Sequence, residues 1–173
     1  SLWRRHRLCT ALEALLEQAD TQVETEVANA RQEWGTLPRV KPDLGEAIRR
    51  RFQRLCQTLT EGASEQQTLI QELQGNLEEK QTLCLRMEIL AGAETPPAFA
   101  QARMAYQVQR LSASLGGGET ARQSPEEEIE AIQEQWCLMG LLPLSECQQL
   151  EARFQAALAV LQASRNTGQA ATS

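Results

Sequence analysis

The chain has 173 residues, a formal charge of −6 and only 4% aromatic residues, with Ala, Leu, Glu, Gln and Arg dominating. Straight side chains and alanine lose little entropy in a helix, and Val, Ile and Tyr are too few to build a sheet, so the expected fold is all-α. A net acidic chain is a poor nucleic-acid binder by bulk attraction. The charge is uneven, +2 over residues 1–60 and −8 over 61–173, so any basic surface must lie in the first third.

The apolar spacing predicts about six helices. Leu8, Leu12, Leu15, Ala19, Val23, Val27, Ala30 and Trp34 step by three or four, as one face of a long first helix would, with Gly35 expected to end it. Leu37-Pro38 and Lys41-Pro42 hold the next connection extended. Asp43 with Glu46 reads as a capping-box start for the second helix, whose inner face is Leu44, Ile48, Phe52, Leu55 and Leu59 and which Gly62 closes. A third helix is expected from about Ser64 to Ala91, ended by Gly92. A fourth starts at Thr95-Pro96-Pro97 and carries Phe99, Tyr106, Val108 and Leu111 as its apolar positions. Gly116-Gly117-Gly118 opens a flexible linker, and Ser124-Pro125 followed by three glutamates starts the fifth helix, lined by Ile129, Ile132 and Trp136. The sixth begins at Ser145 and presents Leu150, Phe154, Leu158 and Leu161. The expected organisation is a helical module over 1–115, a linker over 116–123, a second helical hairpin over 124–163 and a disordered tail over 164–173.

An internal repeat organises these helices. Trp34 is followed eighteen residues later by Phe52, within Arg51-Phe52-Gln53. Trp136 is followed at the same offset by Phe154, within Arg153-Phe154-Gln155. Each unit reads as a helical hairpin: a helix ending near Trp, a Gly/Pro-bearing loop, then a helix with Phe inward. Stacking two such units buries faces that neither buries alone, so the architecture expected is two diverged hairpins around a central helix pair. Trp34, Phe52, Trp136 and Phe154 are its core anchors. The loops have diverged, with Pro38 four residues after its Trp and Pro143 seven.

At these residues the sequence resembles the DUF349 helical-repeat family of bacterial proteins, over about Ala30–Leu59 and, with Cys137 in place of Gly35, about Ile129–Leu161. The segment Leu83–Leu90 and the run Arg103–Gln107 resemble the C-terminal region of long members. The resemblance implies a large, helical, cytoplasmic protein without an active site, acting beside a DNA-maintenance enzyme such as an exonuclease.

The residues themselves offer no catalytic constellation. The one histidine, His6, lies among Arg4, Arg5 and Arg7 and reads as an exposed surface residue, without the nucleophile and base pairing that covalent catalysis needs. Five cysteines, at 9, 56, 84, 137 and 147, show neither CxxC spacing nor a zinc-binding set and read as buried thiols of a reducing cytoplasm. No catalytic, cofactor or metal site is expected, nor a membrane span. The first residue is Ser1 and the first helix is already under way at Leu2-Trp3, so the chain reads as an excerpt of a longer protein.

One surface invites a function. From Arg31 to Arg54 seven cations stand against three acids. With Phe52 inward, Arg50 and Arg54 point directly away, one turn apart, while Arg49 and Arg51 flank the buried stripe with stems that can cover it; Arg39 and Lys41 sit on the preceding loop. The readings that follow are a non-enzymatic interaction module contacting another protein, such as a nucleic-acid-processing enzyme; alternatively, direct nucleic-acid binding through Arg39, Lys41, Arg50 and Arg54; and, third, a structural piece packing against the remainder of its own chain.

Overall fold

A computed structural model describes residues 1–17, 22–116, 123–140 and 145–171. Within these residues all regular structure is helical and no strand is present, as the composition requires. The elements are α1 (Leu2–Glu13), a 3-10 turn (Ala14–Glu17), α2 (Val23–Thr36), α3 (Pro42–Glu61), α4 (Ala63–Gly75), α5 (Leu77–Ala91), a second 3-10 turn (Pro97–Phe99), α6 (Ala100–Leu115), α7 (Pro125–Leu138) and α8 (Ser145–Ala171).

The chain forms two compact units. The first comprises residues 1–80 and 133–148, the second 81–132 and 149–173. This division does not follow the expected one at the triglycine: Gly116 caps α6 through its N–H on the Ser112 carbonyl, and Gly117 and Gly118 lie outside the described residues, as does Pro143.

In the first unit α1 packs on α2 and α3, and α3 on α2 and α4. Their shared core holds Cys9, Leu12, Leu15, Leu16, Val27, Ala30, Ile48, Phe52, Leu55, Leu59, Leu69, Leu73 and Cys137. This core explains why the expected long first helix is divided. A continuous helix over residues 2–34 would hold Leu12 and Val27 about 22 Å apart along its axis, and its two halves could not pack on each other as α1 and α2 do. Nor does Gly35 end α2, which runs to Thr36 before Leu37 turns extended. The start of α3 also differs from the expected capping box: Lys41 occupies the cap position, Pro42 the first turn, and Asp43 sits within that turn near the positive end of the dipole. The expected third helix is interrupted at Asn76, whose N–H turns back to the Leu73 carbonyl at 3.1 Å. Its side-chain amide donates to the Gly140 carbonyl at 3.0 Å.

The second unit buries Leu83, Cys84, Leu85, Met87, Ile129, Ile132, Leu150, Phe154, Ala157 and Leu158. Gly92 ends α5 in the left-handed region, φ +68°, letting the Ala93 N–H reach the Glu88 carbonyl at 2.9 Å. The Ser124 hydroxyl accepts from the Glu127 N–H at 3.2 Å, capping α7 as expected. Helix α8 continues to Ala171, through the stretch expected to be a tail. Arg165, Gln169, Ala170 and Ala171 there are good helix formers, and Thr167 adds hydroxyl bonds to the Ala163 and Ser164 carbonyls.

Candidate functional site

The four cations singled out by sequence are all exposed, and three of them are paired with carboxylates. Arg39 is exposed on the loop before α3. Lys41 is exposed, with its Nζ 3.7 Å from the Glu134 carboxylate. Arg50 Nε donates to Glu46 at 3.2 Å, and Arg49 pairs with the same carboxylate. Arg54 pairs with Glu72 at 2.5 Å. Hydrogen bonds from Arg49 and then Arg50 hold the Glu46 carboxyl below its ordinary range, and the bond from Arg54 does the same for Glu72. The patch that counts +4 along the sequence, with Glu46 of α3 already included, is further answered in space by Glu72 of α4 and Glu134 of α7. A cleft of about 370 Å³ opens beside it, lined by Arg50, Arg54 and Glu72 at the side and by Arg51 and Glu13 beneath, with leucines between.

Below the surface the repeat anchors hold a polar framework. Trp34 stacks on Phe52, with centroids 4.1 Å apart and planes within 15°. Arg5 caps that stack, its Cζ 4.5 Å from the Trp34 centroid, and its Nη2 donates to the carbonyls of Leu37 and Pro38 at 3.3 and 3.1 Å, fixing the loop that carries Arg39. Arg51 does more than cover the apolar stripe with its stem. Its side chain is 10% exposed, and it pairs with Glu13, whose own side chain is 1% exposed. Arg51 Nη1 also donates to the Cys137 carbonyl at 2.6 Å and to His6 Nδ1 at 3.0 Å. A guanidinium can only donate, so His6 accepts at Nδ1 and carries its proton on Nε2. A side chain at Gly140 would collide with the Glu13 carboxylate, so the chain after α7 approaches that carboxylate closely only as glycine.

These placements correct the reading of α1. His6 and Arg5 are buried, not surface residues; only Arg4 and Arg7 of that run are exposed. Residues 5, 6, 9, 12, 13 and 16 share the inward face, where Arg51 partners His6 and Glu13 and the loop carbonyls partner Arg5.

The second unit repeats the device with different partners. Arg153, the Arg of its own Arg-Phe-Gln, donates to buried Glu88 at 2.6 and 3.3 Å and lies over Phe99, Cζ to centroid 4.4 Å. Thr95 donates to the same glutamate at 3.3 Å. In each unit the arginine preceding the buried phenylalanine is thus clamped to a buried glutamate of another helix. Trp136 and Phe154, the anchors of the second copy, are fully buried, Trp136 within the first unit and Phe154 within the second. Lys80 is buried as well, its Nζ 2.7 Å from the Trp136 carbonyl and 4.0 Å from the ring centroid.

Chemically these groups are held, not poised. Burial pushes the Cys9 and Cys84 thiols up to about 12, and burial raises Cys56 against the opposing Arg31 guanidinium. The thiolate is the reactive form. Cys9, Cys56, Cys84 and Cys137, all buried and free, should therefore not react with an aromatic disulfide reagent at pH 8 until the protein unfolds. Mass mapping of labelled sites with and without denaturant checks this; rapid native labelling at any of the four would contradict it. Among the described residues no group of three His, Cys, Asp or Glu side chains is placed to share a metal ion, and no helix is long and apolar enough to cross a membrane.

The remaining surface feature was not legible as a site. The sequence shows Val108 and Leu111 only as apolar positions of the fourth helix. The structure leaves α6 with no buried residue and exposes Met104, Val108, Leu111 and Leu115 by 67, 56, 64 and 86%. They recur at intervals of four, three and four, a single stripe along one side of the helix. Comparison of the chain with protein-family models, with curated proteins and with solved structures found no match.

Proposed function

We propose that the chain is a non-enzymatic helical protein-interaction module, an accessory or regulatory subunit, and that its contact surface is the apolar stripe of α6. The observation that carries this reading is the stripe itself. Four large apolar side chains lie exposed in a row on one ordered helix, and contiguous apolar surface of that kind marks interaction sites. The resemblance to the DUF349 family directs the search for a partner to cytoplasmic DNA-maintenance enzymes, exonucleases among them, and to the rest of a longer chain. Direct nucleic-acid binding through Arg39, Lys41, Arg50 and Arg54 is the second reading, favoured by their common exposure, with Arg50 and Arg54 lining one cleft, and opposed by the carboxylates paired with three of them.

A capture experiment separates the two. Tagged chain is incubated with bacterial lysate with and without nuclease, alongside Val108→Glu/Leu111→Glu and Arg50→Glu/Arg54→Glu, and bound proteins are identified by mass spectrometry. The expected result is a discrete set of partners that survives nuclease, is lost with the α6 variant and is kept with the arginine variant. Partners that vanish with nuclease and with the arginine variant, in a strongly salt-dependent manner, would overturn the proposal in favour of backbone binding.

A further inference from the structure

We infer that the α6 stripe is the seam of a two-stranded coiled coil formed with a second copy of this chain. The inference rests on the interaction reading above and names its partner.

The spacing of the stripe is the first support. Intervals of four, three and four place Met104, Val108, Leu111 and Leu115 at successive d, a, d and a positions of a heptad. An α-helix packed on a globular core usually carries a wider stripe, filled out at e or g. Here those positions are Ala105, Gln107, Ser112 and Ser114, so the large apolar side chains keep to the narrow seam. β-Branched Val108 at a, with Leu111 at d, is the pairing that favours two strands. Gln101, one heptad before Val108, puts a polar side chain at an a position, the kind of residue that fixes register.

The attachment of α6 to its own unit leaves this seam outward. Arg103 and Arg110 both fall at c: Arg103 donates to the Ala93 carbonyl at 2.6 Å and to the Thr95 hydroxyl at 2.8 Å, and Arg110 to Glu128 at 2.9 Å. Tyr106, at f, is half-buried. The c and f side therefore faces the unit, and the a/d side does not.

Charge selects the occupant. No residue from 100 to 115 is acidic, and the two cations of α6 are engaged on its inner side. A partner helix with charged flanks would find no counter-charge at e or g. A second α6 brings the same uncharged flanks, so two copies of a chain with net charge −6 meet there without like charges opposed across the seam. An isologous pair of this kind closes on itself. Two heptads form a small interface, so the dimer should be weak and concentration-dependent.

Sedimentation equilibrium of the 173-residue chain tests this. The weight-average mass should rise from one chain towards two between about 10 μM and 1 mM. It should stay at one chain for Val108→Lys/Leu111→Lys, whose substitution sites are 56 and 64% exposed and which should keep the wild-type circular dichroism and melting curve. Gln101→Leu should tighten the dimer about tenfold by extending the apolar seam, a gain that no folding defect can imitate. A wild-type chain and Gln101→Leu variant that both remain monomeric at the highest concentration would overturn the second-copy assignment. So would a wild-type dimer that the lysine variant leaves intact. Neither result touches the broader interaction reading, whose own test is the lysate capture.

Discussion

Replacing Arg51 by alanine should destabilise the first unit by about 3–5 kcal/mol, the range for breaking a buried ion pair from one side. Arg51 is 10% exposed and Glu13 only 1%, so solvent can do little to screen the carboxylate that remains. The same truncation withdraws the donor that His6 Nδ1 and the Cys137 carbonyl share, and each buried acceptor left without that donor adds to the loss. Urea unfolding followed by tryptophan fluorescence is the appropriate measurement, because Trp3, Trp34 and Trp136 all belong to this unit. Two companions fix the interpretation. Glu13→Met/Arg51→Met, which removes both charges and keeps apolar volume, should recover most of the loss, since a buried pair contributes little net stability over a well-packed apolar substitute. Arg54→Ala, whose pair with Glu72 is half-exposed on both sides, should change stability by about 1 kcal/mol or less. If Arg51→Ala proved as mild as Arg54→Ala, the buried clamp would not be what secures α3 to α1.

The helix boundaries that sequence reveals best are those set by local backbone chemistry. Gly62 and Gly92 stand where the chain needs positive φ, and Ser124-Pro125 caps α7. Gly35 misleads because glycine is also tolerated inside a helix, about 1 kcal/mol worse than alanine, and Leu37, with its extended backbone, supplies the stop instead. The apolar stripes were legible wherever the core is apolar. The clamps were not, since a pattern reading sends every charge outward. Their signal was nonetheless present in the phase: Glu13 lies four residues after Cys9 and three before Leu16, and Lys80 four before Cys84, each in step with buried neighbours. The patch of Arg39, Lys41, Arg50 and Arg54 shows the opposite error. Adjacent cations were visible, whereas Glu72 and Glu134, which answer two of them, are distant in sequence. The stripe of α6 was visible as a period, but periodicity does not say whether another element lies opposite. Only the packing shows that, among the described residues, Val108 and Leu111 are left to solvent.

Trp136→Ala should be comparably severe, about 3–5 kcal/mol, and for a different physical reason. Trp136 is the largest side chain among those fully buried, so its removal forfeits the transfer free energy of the indole and leaves a cavity that surrounding helices fill only in part. It also strips the aromatic face from above which the Lys80 ammonium, itself 1% exposed, donates to the Trp136 carbonyl. The two contributions can be parted. Lys80→Met keeps the stem's packing and removes the charge together with its desolvation penalty, so it should be near neutral. In Trp136→Ala/Lys80→Met, the loss should be smaller than in Trp136→Ala alone, because no ammonium is then left facing a void. Urea unfolding of the four proteins completes the cycle, with Trp3 and Trp34 still reporting on the unit. A double variant as unstable as Trp136→Ala would make the cavity the whole effect, whereas Lys80→Met as damaging as Trp136→Ala would make the ammonium, and not the indole, the element that holds Trp136 in place.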